Sequence, residues 1–270
     1  MLLIPSTEEK KCVIINLGDE MKALITGASS GIGRDMARYL ASKGCDLILV
    51  GRDKEKLENL QNSLKVNSQI IIADLCDATK VKEVYVMTKN EDIDILINNA
   101  GFGAFGKFYE TDLNNEIDMI NTNVLAVHLL TKLFLRDMQK RNSGYILNVA
   151  SSAAFGPGPL MATYYATKAY VNNLTEAINE ELRRDNSNVF VCSLCPGPVD
   201  TNFNNVAGVH FSVKALTSEE VAHYAIDSMF KKKVVIIPGM KMKLAMFGRR
   251  FLSRSLLRKI TYNIQRSKKN

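Results

Sequence analysis

Short apolar segments that alternate with helix-like segments constrain the fold of this chain more than any other feature. Each apolar segment is five to seven residues long, and Ile, Leu and Val occupy neighbouring positions, so both faces of each strand are apolar. This pattern is typical of parallel strands that are covered by helices on both sides. Strands are predicted at residues 22–26, 46–50, 69–73, 94–98, 144–150, 189–194 and 234–238.

The segments between these strands predict the architecture. Helices are expected at residues 31–43, 53–65, 113–140 and 164–185. Repeated βα units imply an α/β protein with a doubly wound parallel sheet of about seven strands and right-handed crossovers. Ligands of such sheets bind beyond the carboxyl ends of the strands, so functional residues are expected there.

The two ends of the chain lie outside this pattern. Residues 1–20 carry no βα signature, and one hypothesis is that Met21 is the biological start and that this N-terminal extension is not native. The beginning of the sequence lacks a basic segment followed by a long apolar one, so no secretory leader is expected. A single domain is predicted at residues 21–238, followed by a helical extension at residues 239–270.

The net charge of +7 is unevenly distributed along the 270 residues. Of 35 Lys and Arg and 28 Asp and Glu, 13 basic residues and no acidic residue lie between Lys231 and Asn270, so the first 230 residues carry 22 basic and 28 acidic groups. This body is mildly acidic, so nucleic acid is not expected as a partner. In the tail, apolar residues recur at helical spacing between Arg and Lys, which predicts a basic amphipathic helix. Packing on the body or on a second subunit and peripheral contact of residues 241–270 with an anionic membrane are the alternatives.

Five scattered cysteines fit a reducing cytoplasm better than a disulfide framework. Cys192 and Cys195 form a C-x-x-C, but they lie in an apolar strand, where residues three apart point to opposite faces. They are therefore expected to pack in the core. The three histidines lack metal-ligand spacing, and no metal site is predicted.

A glycine-rich turn follows the first strand. Residues Thr26 to Gly33 read TGASSGIG and open a helix. Glycine allows a tight turn and close approach of phosphate to the backbone, while the helix start offers free N–H groups and the positive end of its dipole. This geometry predicts a dinucleotide pyrophosphate site formed by Gly27, Ser29, Ser30, Gly31, Ile32 and Gly33.

The end of the second strand favours NADP(H) over NAD(H). Gly51 stands where an acidic residue would bind the ribose hydroxyls of NAD, and Arg52 follows it. A guanidinium at this position suits a 2′-phosphate. Asp53 would repel that phosphate if it turned inward, but it is expected to cap the next helix. Arg34 is a second candidate for the phosphate, with helix-surface solvation as its alternative.

Several further motifs occur in order, and together with the glycine turn they resemble the classical short-chain dehydrogenase/reductase family over about residues 22–238. They are Asp74-Leu75 after the third strand, Asn98-Asn99-Ala100-Gly101 after the fourth, the helix residue Asn123, Ser151 thirteen residues before Tyr164, the Tyr164-x-x-x-Lys168 pair, and PGPVDT at residues 196–201. The resemblance implies a Rossmann-type fold with Asn123, Ser151, Tyr164 and Lys168 as catalytic residues. It also implies that the cofactor is bound by Asp74, Leu75, Asn99, Ala100, Gly101, Tyr164, Lys168, Pro196, Gly197, Val199 and Thr201.

The reduction of a carbonyl requires these residue types. Tyr164 would donate the proton, but free tyrosine has a pKa of about 10. Lys168 lies on the same helix face, and its charge, with that of oxidised nicotinamide, is expected to lower the pKa of Tyr164. Ser151 would hold the substrate oxygen. By resemblance, Lys168 also bonds the nicotinamide ribose and Asn123 positions a water.

Neighbouring residues provide the alternatives to these assignments. Tyr165, Tyr170 and Ser152 lack the spacing that Tyr164 and Ser151 have. Four phenylalanines after strands four and five could line an apolar pocket or simply pack in the core, namely Phe102, Phe105, Phe108 and Phe155.

The sequence therefore predicts an NADP(H)-dependent oxidoreductase that acts on a carbonyl or alcohol substrate. The mainly apolar segment 202–216 is expected to form a substrate lid, which favours an apolar ketone or a 3-oxoacyl-type compound. The resemblance points to the branch with 3-oxoacyl and hydroxysteroid reductases and to a homodimer or tetramer formed through residues 113–140 and 164–185. The alternative is a non-catalytic NADP-binding sensor or a membrane-surface partner protein on the same fold.

Overall fold

A computed structural model describes residues 21–201, 203 and 215–267 of the chain. Within this part of the chain, seven parallel strands form one sheet in the order β3-β2-β1-β4-β5-β6-β9, and β7 pairs with β8 in a separate two-stranded ribbon. The strands are β1 Lys22–Thr26, β2 Asp46–Gly51, β3 Ser68–Ile72, β4 Ile95–Asn98, β5 Tyr145–Val149, β6 Phe190–Leu194, β7 Val199–Asp200, β8 Leu216–Thr217 and β9 Val235–Ile236. The predicted doubly wound sheet is confirmed.

Helices follow most of the strands. They are α1 Gly31–Ala41, α2 Lys54–Ser63, α3 Ala78–Thr88, α4 Leu113–Ile120, α5 Val127–Arg141, α6 Ala162–Arg184, α7 Ser218–Phe230, α8 Met240–Arg249 and α9 Arg254–Arg266. A π-helical segment, Asn121–Ala126, joins α4 to α5, so the helix predicted over 113–140 is continuous but locally widened. A 3₁₀ turn, Ser152–Phe155, follows β5.

Alternation along the strands explains how the sheet is buried on both faces. Leu24 and Ile48 belong to one apolar cluster, while Ile25 and Leu49, their neighbours in the chain, belong to the other. Helices α1 and α7 cover one face, and α3 and α5 cover the other. Burial of both strand faces is what the runs of Ile, Leu and Val predict.

The sheet order changes direction beside β1, which pairs with β2 on one side and β4 on the other. At such a point the chain leaves the two neighbouring strands toward opposite faces, which opens a crevice beyond their carboxyl ends. The glycine turn follows β1 and the Asn99-Ala100-Gly101 segment follows β4, so both lie at this crevice.

The tail forms two helices where the sequence predicts one basic amphipathic helix. The first ends at Arg249, and the second begins after Ser253, whose hydroxyl accepts a hydrogen bond from the Leu256 N–H at 3.3 Å. This N-cap interrupts the helix because it bonds a backbone N–H that would otherwise continue the ladder. None of the described helices is both long and apolar enough to cross a membrane. The proposals for residues 1–20 and for most of segment 202–216 fall outside the described residues.

Candidate active site

The glycine turn is held against the segment that follows β4. Gly27 and Gly31 have φ angles of +65° and +55°, which side chains disfavour. A Cβ on Gly27 would also lie 2.9 Å from the Ala100 Cα, and one on Gly33 would overlap the Gly27 carbonyl oxygen and the Asn99 amide. Conformation therefore favours glycine at positions 27 and 31, and close approach of neighbouring backbone and amide atoms favours it at positions 27 and 33.

The start of α1 is open to an anion. Ser30 is the N-cap residue but makes no capping hydrogen bond, so the first N–H groups of the helix keep their capacity to bind phosphate. Ser30 is exposed, Ile32 packs on the core, and the Ser29 hydroxyl lies 3.6 Å from the Cβ position of Gly51. The turn thus reaches the end of β2, where the adenosine half of a dinucleotide is expected.

Asn99 positions this turn. Its side-chain amide donates hydrogen bonds to the carbonyl oxygens of Thr26 at 3.0 Å and Gly27 at 3.1 Å. The Thr26 hydroxyl in turn accepts from the backbone N–H groups of Asn99 and Ala100 at 3.0 and 3.1 Å. Asn99 was predicted as a cofactor contact, and its side chain additionally fixes the shape of the turn.

The two arginines that are candidates for binding a 2′-phosphate differ in their carboxylate partners. Arg34 is engaged by Asp35, whose carboxylate binds its Nε and Nη2 at 2.8 and 3.1 Å. The Arg52 guanidinium is largely exposed, and its nearest carboxylate is that of Asp74, at 3.6 Å. The Asp53 carboxylate accepts from the Lys56 N–H, so it caps α2 as predicted. Arg52 is therefore the guanidinium that remains available at the end of β2.

Asp74 and Leu75 lie beyond the end of β3. Leu75 is buried in the core, while the Asp74 carboxylate is half-exposed and accepts from the Cys76 N–H at 3.0 Å. Partial burial acts to raise the pKa of Asp74, but the bonds from Cys76 and the charge of Arg52 outweigh it and hold that pKa below its ordinary value. Asp74 is thus ionised and lies beside Arg52, beyond the carboxyl ends of β2 and β3.

Ser151, Tyr164 and Lys168 come together at the carboxyl end of β5. Ser151 follows that strand, and Tyr164 and Lys168 lie one turn apart in the first half of α6. The Lys168 ammonium is buried, donates to the Val149 carbonyl oxygen at 2.8 Å and lies 5.9 Å from the centre of the Tyr164 ring. These are the distances at which one side chain can influence the ionisation of another.

Burial dominates the ionisation of this pair. Burial raises the pKa of Tyr164 to about 12, with a hydrogen bond to Ser151 opposing the shift. Burial lowers the pKa of Lys168 to about 8. The expected lowering of the pKa of Tyr164 depends on the charge of bound oxidised nicotinamide as well as that of Lys168, and it stays a prediction; burial is the largest influence on Tyr164 in the structure.

Asn123 lies in the π-helical segment between α4 and α5 and is fully buried. Its amide donates to the Phe102 carbonyl oxygen at 2.9 Å and to the Thr167 hydroxyl at 3.1 Å, and its oxygen accepts from the Phe102 N–H. It therefore ties the segment after β4 to the residue that precedes Lys168. π-bulges are frequent at functional sites. Its role in positioning a water remains a prediction.

Gly101 joins the cofactor turn to the catalytic group. A Cβ at Gly101 would lie 2.8 Å from the Asn123 oxygen and 3.2 Å from the Lys168 ammonium nitrogen. Two residues earlier, Asn99 holds the glycine turn. A segment of three residues, Asn99 to Gly101, thus spans from the proposed phosphate site to Asn123 and Lys168.

The loop after β6 closes the crevice from the other side. Thr201 packs against the glycine turn, 3.1 Å from the Cβ position of Gly31. The Pro196 carbonyl accepts from the Ser152 N–H at 2.8 Å, and Val199 is buried in β7. Gly197 lies against Met242 of α8. All the site residues predicted from the sequence are consequently found at one end of the sheet.

An apolar cluster surrounds the Tyr164 ring, and the sequence reasoning identified only some of its members. Tyr164 packs with Phe105, Met161, Tyr165 and Phe203, and the Phe203 ring lies 5.3 Å from its own. Of the four phenylalanines singled out above, Phe105 belongs to this cluster and Phe108 is exposed. Phe155 ends the 3₁₀ turn and packs on the buried cluster that includes Val171, and Phe102 is half-buried and bonds Asn123 through its backbone. Phe203, within the lid segment, was missed, although its position two residues after Thr201 was the available signal.

The C-terminal helices also reach this wall, which the sequence did not reveal. The Gln265 side chain, which is buried, donates to the Tyr165 hydroxyl. The Arg249 guanidinium lies against Gly156, where a Cβ would overlap it. Its Nε and Nη2 are buried without a hydrogen-bond partner, as is the Gln265 oxygen.

The cysteines and histidines take structural positions. Cys192 and Cys195 are buried on opposite sides of β6 in different clusters, as predicted, and burial raises the pKa of Cys195 to about 12. The four described cysteines are free thiols. His128 bonds the Tyr170 hydroxyl at 2.7 Å, and His223 stacks on Tyr39, whereas His210 falls outside the described residues.

Comparison with known proteins places this arrangement in a family. The sequence model of the family described as short chain dehydrogenase matches residues 21–209. A Gallus gallus protein named hydroxysteroid dehydrogenase-like protein 1 is 32% identical over 219 residues, which are 77% of this chain and 65% of that protein. The Homo sapiens relative, matched to the same extent, is named inactive hydroxysteroid dehydrogenase-like protein 1. A very-long-chain 3-oxoacyl-CoA reductase of Anas platyrhynchos is 31% identical over 70% of this chain and 63% of its own length. The chain thus spans about two thirds of the length of these relatives.

Solved structures agree with this result. A short-chain dehydrogenase from Sphingobium yanoikuyae in complex with NADPH is 30% identical with a TM-score of 0.77, over 86% of this chain and 94% of that one. A bulky-bulky ketone specific alcohol dehydrogenase from Comamonas testosteroni is 28% identical with a TM-score of 0.73, over 87% and 96%. A family member from Burkholderia phymatum in complex with NAD is 25% identical with a TM-score of 0.77, over 84% and 92%.

Proposed function

Because this chain belongs to the short-chain dehydrogenase family, we propose that it is an NADP(H)-dependent oxidoreductase that acts on a carbonyl or alcohol substrate. The observation that carries the proposal is the convergence of Ser151, Tyr164 and Lys168 at the carboxyl end of β5, beside the glycine turn. A site that only bound a dinucleotide would have no chemical need for a buried phenol next to a buried ammonium.

The side chains have distinct roles in this reaction. The bound nicotinamide supplies the hydride that is added to the carbonyl carbon. Tyr164 donates its proton to the carbonyl oxygen, which Ser151 holds, and a pKa of about 12 keeps the phenol protonated at neutral pH, as an acid must be. Lys168, with a pKa of about 8, exchanges protons near neutrality and so can return one to Tyr164.

Arg52 supports the preference for NADP(H). It is exposed at the end of β2 and pairs with the Asp74 carboxylate at 3.6 Å, and Gly51 before it brings no acidic side chain. Arg34 is already held by the carboxylate of Asp35. A guanidinium that is free to form charge-assisted bonds favours a 2′-phosphate. The NADPH complex of the Sphingobium yanoikuyae protein agrees with this preference, whereas the Burkholderia phymatum protein binds NAD.

The apolar cluster around Tyr164 supports an apolar substrate. The rings of Phe105, Tyr165 and Phe203 and the Met161 side chain offer little to a small charged acid. An apolar ketone or a 3-oxoacyl-type compound is therefore the proposed substrate class. The names of the relatives refer to hydroxysteroids, very-long-chain 3-oxoacyl-CoA and bulky ketones, each of which has a large apolar part.

Two further features support a homo-oligomer in a reducing compartment such as the cytoplasm. Leu113, Ile117 and Ile120 of α4 and Tyr170 of α6 are exposed, on the helices through which the family commonly forms dimers or tetramers. The cysteines within the described ranges are unpaired. Light scattering after size exclusion measures the number of subunits.

A screen of NADPH oxidation tests the proposed activity. The purified chain is assayed by absorbance with 3-oxoacyl thioesters, keto-steroids and simple aldehydes, with NADH as the cofactor control. Tyr164→Phe should lose at least about 1,000-fold in turnover because it removes the proton donor. It should retain NADPH binding because the substitution removes only one oxygen atom. Tyr165→Phe is the matched control and should stay within a few-fold of wild type. Equal turnover of Tyr164→Phe and wild type would refute the assigned role.

The second candidate function is a non-catalytic NADP(H)-binding sensor. The name of the Homo sapiens relative, which includes the word inactive, favours it. The two functions differ in one measurable respect, because a sensor would bind NADPH tightly yet oxidise it with no carbonyl compound of the screen.

A further inference from the structure

The first tail helix, α8, has one face on the body of the protein and the opposite face in solvent. Met242, Met246 and Arg249, which recur at helical spacing, are half-buried. Met242 lies against Gly197, and Arg249 lies against Gly156. This inner face is therefore seated on the loops that follow β6 and β5.

The second tail helix, α9, is seated on the same wall. Leu257, Thr261 and Gln265, spaced four residues apart, face inward, and Gln265 donates to the Tyr165 hydroxyl. The charge of Arg249 also acts on Tyr165, where it opposes the rise that burial causes in the pKa of that residue. Since both inner faces meet Tyr165, the opposite faces of both helices point away from the body.

Those outer faces are apolar. We define the outer stripe as the exposed apolar residues of α8, α9 and the turn between them, whose exposed fractions run from 37% to 76%: Met240, Leu244, Phe247, Phe251, Leu252, Leu256, Ile260 and Ile264. The rings of Phe247 and Phe251 pack edge to face at 5.5 Å, so part of the stripe is a preformed cluster. An exposed apolar surface of this extent marks an interaction site.

The charge around the stripe identifies its partner. Lys241, Arg250, Arg254, Arg258, Lys259 and Arg266 are exposed on the same two helices and the turn between them. Residues 231–270 contain no Asp or Glu, so a second copy of this surface would bring like charges together. The stripe is largely aliphatic, which suits lipid chains and offers no hydrogen bonds to bases.

We propose that the outer stripe docks α8 and α9 flat onto an anionic membrane surface, with the apolar residues inserted and the basic residues on the lipid headgroups. The inner faces then keep the loops after β5 and β6 next to the membrane. Resting on the proposed function, this would place the entrance to the Tyr164 site close to lipid-dissolved apolar carbonyl compounds.

Sedimentation of the full chain with vesicles tests the proposal. Vesicles contain phosphatidylcholine alone or with roughly 30% phosphatidylserine. Near such an anionic surface, each Lys or Arg strengthens binding about fivefold. Arg254→Gln/Arg258→Gln/Lys259→Gln should weaken binding to the anionic vesicles by about 100-fold. Phe247→Ser/Phe251→Ser should weaken it by at least about tenfold.

Matched controls come from α2 and from α3 with its C-terminal cap, which are remote from the tail. Lys54→Gln/Lys82→Gln/Lys89→Gln removes three exposed charges of the body, and Val86→Ser/Met87→Ser removes two exposed apolar side chains of α3. Both should bind as wild type does. Thermal unfolding and NADPH oxidation of each variant separate loss of docking from loss of fold or of the proposed activity.

The outcomes are distinct. Binding that requires phosphatidylserine, falls with added salt and is lost in both tail variants supports the proposal. The proposal is overturned if the chain never sediments or if it binds neutral vesicles as well as anionic ones. It is also overturned if the control variants lose as much binding as the tail variants. A concentration-dependent dimer that Phe247→Ser/Phe251→Ser abolishes without vesicles would assign the stripe to a second copy instead.

Discussion

The sheet and the C-terminal helix pair differ in the side chains that they bury. In the sheet, apolar residues such as Ile25 and Leu49 are fully enclosed, and the buried ammonium of Lys168 has a carbonyl oxygen at 2.8 Å. In α8 and α9, Arg249 and Gln265 face inward with buried atoms that lack partners, while Phe247 and Phe251 face outward. Apolar groups therefore fill the inside of the sheet, whereas the inner faces of the tail helices mix apolar residues such as Met242 and Leu257 with Arg249 and Gln265.

This difference shows what decides burial in each region. The strands lie between two layers of helices, so an apolar side chain on either face finds apolar neighbours. The tail helices have one side on the body and one side in solvent, and the Tyr165 hydroxyl gives the inward-facing Gln265 a hydrogen-bond acceptor. An amphipathic pattern predicts that a helix has an apolar and a polar face, but it does not determine which face packs on the protein.

The largest expected effect on the free energy of unfolding concerns Lys168, the buried cation of the body that has a hydrogen-bond partner. Since burial lowers the pKa of Lys168 from 10.5 to about 8, the unfolded chain binds more protons than the folded chain between these values. The stability of wild type should therefore rise relative to Lys168→Met by roughly 2 to 3 kcal/mol from pH 8 to pH 10. Urea unfolding at both pH values measures this difference. If the stabilities of the two proteins changed in parallel with pH, the pKa of Lys168 would not be lowered by burial.

A smaller effect is expected from a matched pair of glycines, one in each region. Gly33→Ala places a Cβ against the Gly27 carbonyl and the Asn99 amide, whereas the Cβ of Gly248→Ala meets open space in α8. Overpacking should cost Gly33→Ala about 1 to 3 kcal/mol of unfolding free energy and weaken NADPH binding. Gly248→Ala should be neutral or stabilising by up to about 1 kcal/mol. Denaturant titrations compare them, and a destabilised Gly248→Ala would mean that the tail is as closely packed as the turn.

The smallest effect is expected for the unpartnered cation of the tail. Arg249→Met keeps the apolar stem but removes two buried donors that have no acceptor, so the unfolding free energy should stay equal or rise by about 1 kcal/mol. Arg250→Met, on the exposed neighbour, should change it by less than about 0.5 kcal/mol. A loss of more than about 1 kcal/mol for Arg249→Met alone would mean that Arg249 has a partner in solution.

Much of the site could be predicted because its residues are tied to chain order. Each motif follows a strand, and parallel strands bring their carboxyl ends to one edge, so Gly27, Asn99, Ser151 and Thr201 had to converge. The ionisation of Tyr164 could not be predicted in the same way, since the spacing to Lys168 gives a charge nearby but not the degree of burial. Likewise, only the structure shows that Asp35 holds Arg34 by two hydrogen bonds, while the exposed Arg52 pairs with Asp74 at 3.6 Å.

The sequence by itself determined the fold class, the order of the strands along the chain and the positions of the turn and the Tyr164–Lys168 pair. These properties depend on local periodicity and on residues a few positions apart. The tertiary structure decided the direction of the pKa shifts, the π-helical placement of Asn123, and the outward orientation of Phe247 and Phe251. Each of these depends on which distant surfaces meet, because desolvation and packing are set by neighbours in space.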